Sequence, residues 1–291
     1  MAHRQIGRPL RFLAVVSNVP DADLQRLLEL TAEPGVTLEF LRPDPGPLST
    51  LPRAPGGNQS TYYRLQLPQL APHIGRALWV DGDMLVLRDL GELYDTDLGG
   101  APLGAVQDLV IPYVASRLGV AAWRELGLEA HQPYFNAGLI VMDVDLWRER
   151  NLTALLYDYL RSYRVAFYDQ DALNAVLGNT WKSLDLRWNV VASVVGRRFF
   201  HPPFLDAATL CELVRDPWIL HYSGDWKPWT LPYGRPPYDL FFRYLDETPW
   251  RGWRPRPSAR SRLCAFYHER LRDHLYTLES ALAETRFRWR R

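Results

Sequence analysis

The chain has 291 residues, 47% of them hydrophobic and 23% charged, a composition that suits one large α/β domain or a domain with a small appendage. A formal net charge of +1 supplies no overall basic field for nucleic acid, and no stretch approaches the roughly 20 apolar residues that span a bilayer. The opening MAHRQIGRPLRF lacks the apolar core of a signal peptide, and two cysteines, Cys211 and Cys264, build neither a disulfide framework nor a zinc site, so the expectation is a cytoplasmic protein with reduced thiols.

In chain order, LRFLAVVSN (residues 10–18) reads as a buried strand ending in turn residues. PDADLQRLLELTAE follows as a helix with Leu24, Leu27 and Leu28 on one face and acids in its first turn. GVTLEFLRP alternates as a strand, and residues 43–57 form a Pro/Gly-rich loop. STYYRLQLPQLAPHI begins a helix with Ser60 or Thr61 as its N-cap, and ALWVD is the next strand. The alternation of strand and helix predicts an α/β layer with mostly parallel pairing.

Farther on, PLGAVQD and YFNAGLIVMDV read as strands, and residues 144–164 as one helix capped near Asp145. DQDALNAVLG is a short helix with Gly178 at its C-terminal cap, and PWILHYSG is a late strand. Residues 258–291 form an amphipathic helix and the tail TRFRWRR, expected as a small unit apart from a main domain over residues 1–257. Basic and aromatic residues interleaved in that tail suit the anionic inner face of a membrane, and a solvated basic tail is the competing reading. The 11 Trp and 15 Tyr suit either sugar faces or core packing.

The stretch RALWVDGDMLVL (residues 76–87) is apolar on both sides of Asp81-Gly82-Asp83. Two carboxylates at the tip of a buried strand are costly unless something binds them, and two oxygen ligands suit a hard divalent ion such as Mn²⁺ or Mg²⁺. Gly82 between them allows close approach. Asp-x-Asp alone is also a common surface turn. A phosphatase-type reading, with the first Asp as nucleophile on the haloacid-dehalogenase pattern, meets Leu85 where that pattern has Thr or Val, far from the start of the chain. His221 follows an apolar strand and reads either as a third metal ligand or as a core histidine.

Five stretches in one order, STYYRL, VDGD, PYFNAGLIVMDVDLWRE, YDQDALN and LHYSGDWKPW, resemble the retaining glycosyltransferases of family eight over roughly residues 10–229. His-x-x-Gly-x-x-Lys-Pro-Trp, from His221 to Trp229, is the most specific of them. The resemblance implies the GT-A nucleotide-sugar transferase fold, a mixed, mostly parallel central sheet flanked by helices, and transfer of a hexose from a UDP-sugar to a glycan, lipid-linked or protein acceptor. It implies Asp81, Asp83 and His221 as ligands of Mn²⁺ or Mg²⁺, and Gly224 and Lys227 at the leaving diphosphate. It places Thr61, Arg64, Asp108 and Asn136 on the donor or the sugars, Asp169 on hydroxyls of the donor sugar, and Gln170 facing the anomeric carbon. Asp169 also reads as a helix cap, and Arg64 as a surface cation.

An amide is a poor nucleophile, so Gln170 favours front-face attack over a double displacement. Residues 109–132 are expected to close over bound donor as a loop. The family's first strand-helix unit has no counterpart here, which leaves three readings: a displaced start, a strand from another chain, or a scaffold with lost donor binding. An unused buried carboxylate pair argues against the last.

Overall fold

A computed structural model describes residues 7–53, 59–195, 202–224, 227–230 and 237–256. The expected C-terminal helix and basic-aromatic tail over residues 258–291, with Cys264, lie outside the described residues. The chain divides into two compact units, the first running to Gly82 and then over Val86–Asn189, the second taking Asp83–Leu85 and the chain from Val190 onward.

The first unit opens with β1 (Leu10–Val15), α1 (Asp21–Leu30) and β2 (Val36–Leu41), and the two strands pair in parallel from Leu10↔Val36 to Val15↔Leu41. A strand–helix–strand crossover imposes that direction. β1 is half-exposed rather than buried, with Phe12 43% accessible, because its sheet has two strands only. A short α2 (Pro45–Leu48) follows, its first turn held by Gly46 N–H donating to Asp44 Oδ1 at 2.8 Å.

A 3₁₀ turn over Ser60–Tyr62 leads into α3 (Tyr63–Leu70), then β3 (Arg76–Val80). Neither Ser60 nor Thr61 caps α3; the Thr61 hydroxyl donates to Asp169 instead. After β4 (Met84–Val86) and α4 (Gly91–Tyr94) come β5 (Leu103–Gln107) and β6 (Phe135–Asp143). The region expected as one helix over residues 144–164 is two, α5 (Val144–Glu149) and α6 (Leu152–Ser162). Asn151 stands between them at φ 49°, a left-handed conformation that asparagine tolerates and that ends the first helix. The cap of α5 is Asp143, whose Oδ1 accepts from Leu146 N–H at 2.9 Å, while Asp145 pairs with Arg148. α7 (Tyr168–Leu177) ends at Gly178 with φ 53°, as its sequence predicts, and β7 (Lys182–Ser183) completes the sheet.

The sheet order is β3-β6-β5-β7. β6 is its interior strand, and Phe135 to Met142 are all buried, which explains an apolar run without alternation. Pairing is mixed. β6 runs antiparallel to both β3, from Arg76↔Asp143 to Val80↔Leu139, and β5, with a register slip between Ala105 and Val106. β5 pairs with β7 in parallel, so the sheet is mixed as expected; the two ladders of β6 are its antiparallel part, because the chain between β5 and β6 makes turns and no crossover helix. β3 ends this sheet rather than lying at its centre, and its five residues are half-buried.

Phe135, Ile140 and Met142 of β6 pack in one core with Leu65 and Leu67 of α3, Trp147 of α5, Leu156 and Leu160 of α6, and Leu173 of α7. Trp147 Nε1–H donates to Thr153 Oγ1 at 3.0 Å, and that hydroxyl donates to Leu65 O at 2.8 Å, so these two buried polar groups are paired. The segment over residues 109–132 belongs to this core through Ile111, Val114 and Val120.

In the second unit, β8 (Val190–Val191) runs parallel to β9 (Ile219–His221) in a sheet ordered β4-β9-β8. Around it are α8 (Ala192–Val195), α9 (Ala207–Arg215) and α10 (Tyr238–Leu245). Among the described residues, no helix is long and apolar enough to cross a membrane.

Adjacent leucines on α6 test this core: Leu156 is 0% accessible and Leu155 is 48%. Leu156→Ala is expected to lower unfolding free energy by about 2–5 kcal/mol and Leu155→Ala by under about 0.5 kcal/mol, measured by urea denaturation.

Candidate active site

In the first unit the polar residues gather where β3, α3, β6 and α7 supply them. Asp81 follows the last residue of β3 and extends its ladder, donating N–H to Gly138 O at 2.9 Å. Its carboxylate accepts from Trp79 Nε1–H at 2.8 Å and from Arg64 Nη2 at 2.9 and 3.2 Å. The Arg64 guanidinium sits over the Trp79 ring, 5.3 Å from its centroid, and pairs through Nε with Asp169 Oδ2 at 2.8 Å. It also donates to Ala137 O. Arg64 is therefore a buried cation between two carboxylates, not a surface charge. Asp169 lies inside the first turn of α7 and is not its cap. Burial pushes the Asp169 carboxyl up to about 6, against the opposing pull of Arg64 and the Thr61 hydroxyl.

A second cluster shares the same unit. Asp108 Oδ1 accepts from the N–H groups of Val110 and Ile111 at 2.7 and 2.9 Å. Its Oδ2 accepts from Asn136 Nδ2 at 2.9 Å and Gln170 Nε2 at 3.2 Å. Asn136 Oδ1 accepts from Gly138 N–H at 3.0 Å and Asn189 Nδ2 at 2.9 Å. Gln170 Oε1 accepts from Ala137 N–H at 3.0 Å, so both ends of its amide are engaged. One helical turn later Asn174 accepts from Phe135 N–H at 2.8 Å and donates to Phe135 O at 2.9 Å. Two amides four residues apart on α7 thus take over pairing of the β6 backbone at Phe135 and Ala137.

Asp171 anchors the start of α7. It accepts from the N–H groups of Ala166 and Phe167 at 2.5 and 3.0 Å and from the Tyr134 hydroxyl at 2.6 Å. Burial raises both the Asp171 carboxyl and the Tyr134 phenol above their ordinary values. The sequence reading singles out none of Trp79, Tyr134, Asp171, Asn174 or Asn189. Asp171 and Asn174 carried a signal in the spacing of YDQDALN, one acid in the first turn and one amide a turn past Gln170.

In the second unit, Asp83 precedes β4 and His221 ends β9, and Tyr222 N–H donates to Asp83 O at 2.9 Å beside them. His221 Nε2 lies 3.3 Å from Asp83 Oδ1, a buried oxygen that takes no hydrogen bond among the described residues. Lys227 Nζ donates to Asp83 Oδ2 and, at 2.7 Å, to Tyr222 O. Burial alone would raise the Asp83 carboxyl, but His221 and Lys227 outweigh it and hold the group well below the usual carboxylate range. A carboxylate oxygen facing an imidazole nitrogen offers two of the ligands that a divalent cation takes. Gly224 has φ 82°, a conformation that favours glycine, whereas Gly82 has open space where a Cβ would stand and no positive φ.

The chain is similar to known proteins along most of its length. A sequence model for "Glycosyl transferase family 8" matches residues 3–231. The general stress protein A of Bacillus subtilis (strain 168) is 28% identical over 84% of this chain and 84% of its own. The lipopolysaccharide 1,2-glucosyltransferase of Escherichia coli (strain K12) is 25% identical over 88% of this chain and 74% of its own. Among solved structures, the apo structure of the WbbM bifunctional glycosyltransferase matches with a TM-score of 0.68 and 29% identity over 81% of this chain. This chain spans 44% of that one, less than half its length. The phosphatase reading gives way to these matches, and Asp81, its would-be nucleophile, is instead held by Arg64 and Trp79. With its α/β architecture of mixed sheets, its matched motifs and its paired acids at a strand end, the chain belongs to glycosyltransferase family eight and has the GT-A fold.

Proposed function

We propose that this protein is a metal-dependent retaining hexosyltransferase that moves glucose or galactose from a UDP-sugar to a glycan or glycoconjugate acceptor. One observation carries the reading: His221 and Lys227 converge on the two oxygens of Asp83. Asp83 and His221 would hold a divalent cation, Mn²⁺ or Mg²⁺, with Asp81, two residues before Asp83 in sequence, as the third candidate ligand. When bound, the cation supplies countercharge to the diphosphate. Lys227 adds a point charge for the departing phosphate oxygens, and Gly224 lets the backbone approach them. The glucosyltransferase relative supports a hexose as the transferred group.

Thr61, Arg64, Asp108, Asn136 and Asp169 form the sugar end of the site. Asp169 and Asn136 offer acceptor and donor atoms for hydroxyls, and Arg64 acts mainly by fixing Asp81 and Asp169 in place. Neither side chain near the expected anomeric carbon suits a double displacement: the Gln170 amide is clamped at both ends, and the Asp169 carboxylate is tied to Arg64 and Thr61. In the front-face alternative the C1–O bond to phosphate breaks and the acceptor oxygen bonds C1 on the same face. The acceptor proton passes to the leaving phosphate oxygen.

Scanning UDP-glucose and UDP-galactose for Mn²⁺-dependent hydrolysis tests the reading without an acceptor. Wild type is expected to hydrolyse at least one donor, and Lys227→Met to lose about 10²-fold in kcat/KM. UDP binding without any turnover would favour a scaffold instead.

Asp83, part-buried, and Asp169, buried, carry opposite pH signatures. Asp83, held below its unfolded value of 3.8, contributes stability that is present above about pH 4 and lost as pH falls below it. Asp169, raised from 3.8 to about 6, lowers stability as pH rises from about 4 to about 6, by about 3 kcal/mol at most. Denaturation at pH 3, 4 and 7 is expected to show Asp83→Asn flattening the acid limb and Asp169→Asn gaining on wild type between pH 4 and 7.

A further inference from the structure

The residues matched by the family model end at 231, and α10 (Tyr238–Leu245) lies past them. Its aromatic side chains nevertheless pack on the loop that carries Lys227. The Phe241 ring stands edge-on to Tyr222 with centroids 6.0 Å apart, and it meets Trp229 at 5.6 Å. Tyr222 lies before Lys227 in sequence and Trp229 after it, so one ring meets residues on either side of Lys227. Tyr222 is fixed a second time from this end of the chain: its hydroxyl donates to Pro237 O at 3.0 Å, and its ring meets Tyr238 at 5.7 Å. The carbonyl of that same Tyr222 receives Lys227 Nζ at 2.7 Å. A turn closes the other arm, with Thr230 N–H donating to Lys227 O at 3.0 Å.

A lysine ammonium rides on a four-carbon stem with large rotamer freedom, and holding it in place before a ligand arrives has to come from its surroundings. Here the surroundings are Asp83 and the Tyr222 carbonyl, and the aromatic contacts of α10 keep that carbonyl where it is. We infer that Phe241 is a positioning residue for Lys227, acting through Tyr222 and Trp229, so that a helix outside the family match sets the diphosphate affinity of the site. The inference rests on the reading of Lys227 as the diphosphate cation.

The adjacent Phe242 provides the control: its ring stands edge-on to Phe241 at 5.4 Å but meets neither Tyr222 nor Trp229 in any ring contact among the described residues. It is more deeply buried than Phe241 and packs against the Arg254 guanidinium, 4.7 Å from its ring centroid. Truncation there costs stability without removing the ring that touches Tyr222 and Trp229.

The experiment reads amide hydrogen exchange over residues 227–230 without nucleotide, and UDP affinity in Mn²⁺ by calorimetry. The chains compared are wild type, Phe241→Met, Phe241→Tyr and Phe242→Met. Phe241→Met is expected to speed exchange and to weaken UDP each by about tenfold, with Phe241→Tyr and Phe242→Met within about twofold of wild type on both. In a Lys227→Met background the Phe241→Met loss in UDP affinity should vanish. Unchanged exchange in Phe241→Met, equal acceleration in Phe242→Met, or a Phe241→Met chain that fails to fold while Phe242→Met folds would each overturn the inference. Absence of UDP binding by wild type would instead sink the functional reading, and the exchange data alone would then judge the positioning role.

Discussion

A carboxylate drawn partly out of water must be met by positive charge or by donors, and Asp83 is met by both His221 and Lys227. The local architecture of the second unit serves that meeting. β4 begins right after Asp83, β9 ends on His221, and the Tyr222 N–H locks the Asp83 carbonyl beside them. Electrostatics then set the state of the group: His221 and Lys227 outweigh desolvation, so Asp83 stays ionised. An ionised carboxylate facing an imidazole nitrogen is the kind of group that a divalent cation can complete.

The first unit solves the same problem differently. One guanidinium, Arg64, serves Asp81 and Asp169 together, and the Trp79 indole adds a donor to Asp81. Desolvation wins at Asp169, which titrates near neutrality instead of far below it. Around this pair the amides of Asn136, Gln170 and Asn174 are joined to backbone or to Asp108, and Asn189 donates to Asn136, so α7 is tied to β6. Such full pairing holds polar groups in one arrangement before any sugar arrives, which favours a site that stabilises charge over one that forms a covalent adduct.

Much of this was legible in the residues. Apolar flanks placed Asp81 at a strand end, the run before His221 marked another strand, and Gly178 announced the end of α7. What stayed hidden depends on partners distant in sequence. The Thr61 hydroxyl reads as a cap until Asp169, far along the chain, is seen to take it. Arg64 reads as a surface cation because its two carboxylate partners come from other elements. Strand direction through β6 escaped because periodicity reports burial and not polarity of pairing. The break at Asn151 escaped because a single left-handed residue leaves the helical pattern on both sides intact.

The central claim is that an imidazole and a carboxylate at the ends of β9 and β4 bind one cation. Pulsed electron paramagnetic resonance on the Mn²⁺–UDP complex reads this directly, because a nitrogen ligand modulates the manganese echo. The account predicts nitrogen modulation from a single imidazole that disappears in His221→Gln. Bound manganese without that modulation in the wild-type protein would contradict it.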